Sequence, residues 1–283
     1  MRTDPRQPSV AAGSAAAIAA TELADAADAH AGVETRQATG GELDRALAGF
    51  EATWGVGRGP DRSMLQAIAH AGNTLLVAVQ GFETRASLAP RPAGGDVVGA
   101  TLGFLGWEGG LHLHSHMNAV DPAARGRGIG LALKLRQRAL CLEHGVDEIR
   151  WTYDPLIRRN ARMNLVRLGA EVAAFHPDFY GRLDDAITGA DRSDRFEVRW
   201  RLASARTARA LALGPQPAWS ARAGFALVPD FEALRADAPA DAARLREHSH
   251  EAFAALAAPG LRPELDAAGD YVFTSDDPDR EAE

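Results

Sequence analysis

The sequence predicts an α+β fold built on a mixed sheet, and three observations carry that expectation. Short alternating or wholly apolar stretches recur along the chain, stretches with apolar residues at helical spacing separate them, and glycines or prolines stand at most junctions. Read in order, the elements run β-α-α-β-β-β-α-β-α-β-β, followed by a small β-α-β tail. The 283 residues are ample for a buried core in one or two domains.

Residues 1–32 are Ala-rich and low in complexity, so they are expected to be disordered or one weak helix. Arg2 and Arg6 before "VAAGSAAAIAA" faintly imitate a signal peptide, but an Ala/Gly core is far less apolar than a working one. A cytoplasmic protein is the expectation. "VETRQAT" (33–39) alternates and suits a strand; "GELDRALAGFEATWG" and "DRSMLQAIAHAG" have helical spacing and end at glycine. "NTLLVAVQ" (73–80) is a second strand, and the Pro/Gly-rich loop "RASLAPRPAGG" separates it from "DVVGATLGFLGWE". Gly109 and Gly110 then turn the chain into "LHLHSHMNAV", a hairpin.

Leu131, Leu135, Ala139 and Leu142 predict a helix with one apolar stripe, closed by Gly145. A strand "EIRWTYDP" (148–155), a helix "RRNARMNLVRLGA", an irregular strand "EVAAFHPDFYG" and a strand "RFEVRWRLA" (195–203) follow. The domain reading is a leader (1–32), a main domain (33–203), a Pro/Ala-rich linker (204–222) and a C-terminal extension (223–283). That extension holds a strand "GFALVP", helix from 231 to about 258, and a strand "DYVFTS".

Net charge is −7, so no excess of positive charge drives nucleic-acid binding, and any anion site must be local. Nothing approaches the ~18 consecutive apolar residues of a membrane span. Cys141 is the only cysteine, which excludes an intrachain disulfide; among apolar neighbours it reads as a core residue. Lys134 is the only lysine.

The chemistry concentrates in "NAVDPAARGRGIGLALKLRQ" (118–137), where a strand gives way to three alternating glycines and then a helix. A helix N-terminus has unpaired N–H groups and a partial positive charge. Glycines before it let a phosphate approach the backbone, and Arg125 and Arg127 add fork-shaped donors. The pattern therefore suits a phosphate or pyrophosphate. It is not a Walker loop, because Lys134 is misplaced, nor a dinucleotide fingerprint, which needs glycine where Leu131 stands.

Arg125-x-x-Gly128-x-Gly130, directly after a strand, resembles the signature of the GNAT N-acetyltransferase superfamily, and the likeness covers about residues 33–203. "LHSHM", "TYDPL", "RNARMNLVRLGA" and "SDRFEVRW" resemble a GNAT subgroup with a C-terminal extension. The resemblance implies a twisted, mixed, mostly antiparallel sheet flanked by helices, with a small α/β appendage. It implies acetyl-CoA as acyl donor, no metal, and transfer to the amine of a small molecule or amino acid by direct attack in a ternary complex. Arg125, Gly126, Arg127, Gly128, Ile129 and Gly130 would cradle the pyrophosphate. Asn118, Ala119 and Val120 would pair by backbone with the pantetheine arm, and Asn160 would contact the coenzyme or simply cap its helix. A homodimer is compatible with this reading.

Acyl transfer needs a base for the amine and an acid for the leaving thiolate. His112, His114 and His116 alternate and share a face, and a neutral imidazole accepts a proton near pH 7. The resemblance aligns His114 with a strand glutamate that serves many members as base, with His116 as its neighbour and His112 peripheral. Three such histidines could hold a metal, but no carboxylate or cysteine stands near them in sequence to complete the set. Where many members carry a tyrosine acid, this chain has Leu165, which leaves Tyr153, Tyr180 or water to serve. The missing tyrosine also admits a non-catalytic acyl-CoA-binding sensor or interaction protein.

Overall fold

A computed structural model describes residues 15–81, 95–183, 185, 187–189, 191–254, 260–277 and 279. The described residues begin with α1 (Ala15–Ala31), β1 (Glu34–Gln37), α2 (Glu42–Trp54), α3 (Arg62–His70) and β2 (Leu75–Gln80). The hairpin strands β3 (Asp96–Gly106) and β4 (His112–Val120) lead into α4 (Ile129–Glu143) and β5 (Glu148–Tyr153). After α5 (Arg158–Ala161) come β6 (Glu171–His176), β7 (Arg195–Arg201), α6 (Ala205–Leu211) and β8 (Ala223–Phe225). The chain closes with α7 (Phe231–Asp237), α8 (Pro239–Ala254), β9 (Arg262–Leu265) and β10 (Tyr271–Thr274). The Pro/Gly-rich loop expected after the second strand falls mostly outside the described residues.

The chain divides into two compact units. One comprises Met1–Gly49, Asp61–Phe104 and Met117–Asp147; the other comprises Phe50–Pro60, Leu105–His116 and Glu148–Glu283. In the first unit β1, β2 and β3 pair antiparallel, and Thr101 Oγ1 donates to the Met117 carbonyl at 2.7 Å where β3 meets β4. Helix α4 sits on this sheet over Gly99, where a Cβ would stand 3.0 Å from Ile129 Cγ2 and 3.2 Å from the Ala119 carbonyl oxygen. Ala31, Leu76, Ala78, Ala124, Ile129 and Leu133 form the core beneath it.

The Ala-rich leader is a helix, α1, laid along α4. Isolated, it would be marginal; it is stabilised because Ala17, Ala20, Ala24 and Ala31 are buried, small side chains that permit close approach. A polar clasp fixes it: Asp28 accepts from Thr35 N and Thr35 Oγ1, and Arg136 of α4 donates to Asp28 and Asp25 at 2.9 and 2.6 Å. This second covering explains why the single apolar stripe expected for α4 is too narrow. Leu131 and Leu142 are only half-buried, whereas Ala132, Leu133, Lys134, Leu135, Gln137, Ala139 and Cys141 are buried. Gly145 does close the helix: it has φ 72°, and Val146 N–H reaches back to the Cys141 carbonyl.

In the second unit β5 pairs antiparallel with β7, and β7 with β6. The start of β4 joins β5 in parallel through only two pairs, Leu113 with Ile149 and His114 with Arg150. The segment expected as one helix over 158–170 is split: α5 passes into a π-turn, Arg162–Arg167, that brings Asn164 Oδ1 within 3.3 Å of the Trp151 indole N–H. Residues 204–222, which composition reads as linker, contain α6, capped by Ser204 accepting from Thr207 N–H. The extension adds β8-β10-β9, where β9 has no alternating pattern to announce it. Its Phe253 packs against Phe175, Phe196, Phe225 and Tyr271, so extension and β6–β7 share one aromatic core.

Candidate active site

In the first unit, β4 ends at Val120 and Asp121 caps a short turn by accepting from Ala123 N–H at 2.8 Å. Gly126 (φ 80°) and Gly128 (φ 91°) then take left-handed conformations that an L side chain would strain. Gly128 is the N-cap of α4 and supplies no side-chain acceptor, so no cap side chain takes up the first N–H groups of this 15-residue helix. Gly130 lies inside the helix, and a Cβ there would meet nothing closer than Val120 Cγ2 at 3.8 Å. Backbone conformation thus demands glycine at two of the three positions. Gly130 is free of that demand.

The flanking side chains divide. Arg125 is exposed and makes only a 3.4 Å bond, from Nε to the Val120 carbonyl, among the described residues. Arg127 donates from Nη1 to Gln80 Oε1 at 2.9 Å and from Nη2 to the Ala31 carbonyl at 3.0 Å. Asn118 donates from Nδ2 to the Gly130 carbonyl at 3.4 Å, and its buried Oδ1 has no partner. Ala119 and Ile129 are core residues with only backbone to offer a ligand. Asn160 belongs to the second unit, half-buried, its N–H on the Ile157 carbonyl; Ile157, not Asn160, is the N-cap of α5. The capping role considered for Asn160 is therefore excluded.

In the second unit the pairing of β4 with β5 stops after His114 and Arg150, and the strands part there. The register aligns side chains on one face: His114 beside Arg150, and Thr152 directly opposite Glu197. The alternate residues Ile149, Trp151, Tyr153, Phe196, Val198 and Trp200 are buried on the other. The rings of His114 and His116 lie 6.1 Å apart. His116 is open on one side, yet enough protein surrounds it that lost hydration lowers its pKa below the usual imidazole value. His112 is buried and donates from Nδ1 to the Gly110 carbonyl, filling the hairpin turn.

The two tyrosines have different fates. Tyr153 is buried, and its hydroxyl bonds that of Tyr271 at 3.0 Å while Tyr271 donates to the Pro155 carbonyl. Burial pushes its pKa far above the ordinary phenol range. Its proton is committed inside the core, which corrects its place among candidate acids. Tyr180 keeps 39% of its surface exposed, with its hydroxyl 3.1 Å from Thr152 Oγ1 and Arg195 above its ring. Its loop is pinned by fully buried Ser193 and Asp194, and Asp178 there holds φ 44°. Leu165 is buried in the π-turn.

Sequence reasoning missed Thr152, Glu197 and His176, whose ring lies 2.8 Å from Glu197. The alternation in "EIRWTY" and "RFEVRWR" carries the signal for the first two. The burial of Lys134 was not foreseen: its place on α4 pushes its pKa down to about 7, and burial pushes that of Cys141 up to about 12. Among the described residues no three His, Cys, Asp or Glu side chains are grouped to hold a metal, and no helix is long and apolar enough to cross a membrane.

No known protein family matches the sequence, and neither does any curated protein. Among solved structures the chain is similar to Ard1 from Thermoplasma volcanium, at 16% identity and TM-score 0.43, covering 59% of this chain and 96% of that one. Arabidopsis thaliana Naa50, solved with the bisubstrate analogue CoA-Ac-MVNAL, has 18% identity and TM-score 0.44, covering 59% and 97%. The ribosomal-protein-S18-alanine N-acetyltransferase from Escherichia coli has 13% identity and TM-score 0.46, covering 61% and 96%. Each of these likenesses covers about three fifths of this chain.

Proposed function

We propose that this chain is an acyl-CoA-dependent N-acyltransferase that moves acetyl from acetyl-CoA to the amine of a small molecule or amino acid. The observation that carries the reading is the loop: two glycines in left-handed conformation deliver an uncapped helix N-terminus directly after a strand, with Arg125 beside it. Uncapped N–H groups, helix dipole and guanidinium together suit the pyrophosphate of coenzyme A. The short ladder between β4 and β5 supports the same reading, because a strand released from its neighbour keeps amide groups available to a pantetheine arm.

In this reading the acceptor amine gives its proton to His116, whose lowered pKa keeps it neutral and able to accept near pH 7, with His114 on the same face. The nitrogen lone pair attacks the thioester carbonyl, and a β4 N–H stabilises the oxyanion. As the tetrahedral centre collapses, the C–S bond breaks and the thiolate takes a proton from Tyr180 or water. Glu197, Thr152 and the half-exposed Phe179 and Tyr180 rings offer a cationic amine a carboxylate, a hydroxyl and aromatic faces.

Thermal stability measured with acetyl-CoA, followed by thiol release over a panel of amines, tests both halves. Stabilisation with thiol release for one acceptor class is expected; a chain that acetyl-CoA does not stabilise contradicts the proposal. Leu165 and the committed hydroxyl of Tyr153 also favour a second reading, a coenzyme-binding sensor, which would be stabilised yet free no thiol.

A further inference from the structure

The leader helix ends against the glycine loop. The ring of His30, in the last turn of α1, lies 3.6 Å (from Cδ2) from the point that a Cβ on Gly128 would occupy. His30 is exposed and makes no hydrogen bond or ion pair with another described residue. The end of α1 is held there by several independent contacts. Asp25 and Asp28 are clasped by Arg136, and Gly32 turns the chain with φ 67°. A side chain at 32 would crowd the Arg127 guanidinium at 3.3 Å, the same group that caps the Ala31 carbonyl.

Arg127 is the informative residue. Both of its assigned bonds go to neutral acceptors, Gln80 Oε1 and the Ala31 carbonyl. Nη2 fastens the end of α1 to the loop and Nη1 ties the loop to β2, and neither bond cancels the charge. It also offsets the negative C-terminal pole of α1, which would otherwise repel an anion at this place. Of the basic groups beside the loop, His30 has no hydrogen-bond partner among the described residues, and Arg125 has only the 3.4 Å bond from Nε to the Val120 carbonyl.

We propose that α1 is a working part of the coenzyme site, with His30 contacting the pyrophosphate across Gly128 and Arg127 acting as the positioning residue that holds it there. This rests on the coenzyme-binding reading above.

The test uses the full chain and coenzyme A itself. Calorimetric affinities are measured for the native protein, His30→Ala, Arg127→Gln and the double variant, alongside NMR of the His30 ring protons, assigned by their loss in His30→Ala. Each single change should weaken coenzyme A binding by about ten-fold, the scale of one charge-assisted hydrogen bond. The double variant should be little weaker than Arg127→Gln, because His30 is effective only when held. The His30 signals should shift with coenzyme A, stay put with pantetheine, which has no phosphate, and lose their response in Arg127→Gln. Native affinity in His30→Ala, or equal His30 shifts with pantetheine, overturns the proposal while leaving the loop reading intact. If the native protein binds no coenzyme A, both fall together.

Discussion

Tyr180 presents its hydroxyl to Thr152 Oγ1 at 3.1 Å on the half-exposed face of the second unit's sheet. Tyr153, one residue along from Thr152, turns the other way and is sealed against Tyr271. The two tyrosines should therefore fail differently. Tyr180→Phe should cut kcat by about 10–100-fold with little loss of stability, within the usual range for a lost general acid. Tyr153→Phe should leave kcat nearly unchanged and cost about 1–2 kcal/mol in denaturant unfolding, because Tyr271 loses its partner. Unimpaired turnover in Tyr180→Phe would hand the proton to water.

The base predicts a pH profile. Only neutral imidazole accepts a proton, so the rate should rise with pH through the pKa of His116. Because burial lowers that pKa, the midpoint of the rise should lie below the ordinary imidazole value. His116→Ala should lower turnover by ~10²–10⁴ with coenzyme affinity unchanged, and the acid limb should flatten. His114→Ala would tell the remaining role: a raised KM for the amine marks orientation, a lost kcat marks the base itself.

Lys134 supplies a prediction about stability. Its amine is buried in the first unit and its pKa is pushed from 10.5 to about 7, so the folded state resists the proton that the unfolded chain binds. Stability should consequently rise with pH between about 7 and 10.5, where only the unfolded state is protonated. Lys134→Met should be more stable by about 1–4 kcal/mol at pH 7, as when buried charges give way to apolar side chains. That advantage should shrink as the pH climbs toward 10. Thermal unfolding at several pH values reads both; a constant difference would mean that the amine is already compensated.

The extension should be inseparable from the strands it covers. Arg206 is buried with Glu264 at 2.6 and 2.7 Å and also serves the carbonyls of Gly169 and Ala170. Glu264→Ala strands a buried guanidinium and should cost about 3–5 kcal/mol, whereas Arg206→Met with Glu264→Met should recover most of it. Denaturant unfolding decides. A cost under 1 kcal/mol in the single variant would show the pair to be solvated.

Local signals were legible in the sequence, and non-local ones were not. The loop residues Gly126 and Gly128, the closing Gly145 and the alternation around His114 are short-range patterns, and the structure gives the three glycines positive φ and places His114 on an alternating strand. The alanines of α1 looked like low complexity because what makes them a packed helix is α4, reached through Asp28 and Arg136. The bonds that Arg127 makes to Ala31 and Gln80 were not legible, because both acceptors are far away in the chain. Tyr153 and Tyr180 were equivalent on paper. What separates them is Tyr271, 118 residues from Tyr153 and visible only once the extension is folded. Strand β9 escaped notice because Pro263 and two charged residues break its pattern, and β10 alone brings it into the sheet.

The central claim is that the N-terminus of α4 holds the phosphates of coenzyme A, and titration calorimetry of coenzyme A tests it most directly. Native protein should bind at one saturable site per chain. Arg125→Ala should weaken binding by about 1–3 kcal/mol, the scale of a charge-assisted bond to phosphate. Gly128→Glu should abolish it, since a side chain and a negative charge then occupy the nest. The unfolding temperature of the unliganded variant would check that the fold survives the strain of φ 91°. Absence of binding by the native protein, or equal binding by Gly128→Glu, would contradict the account.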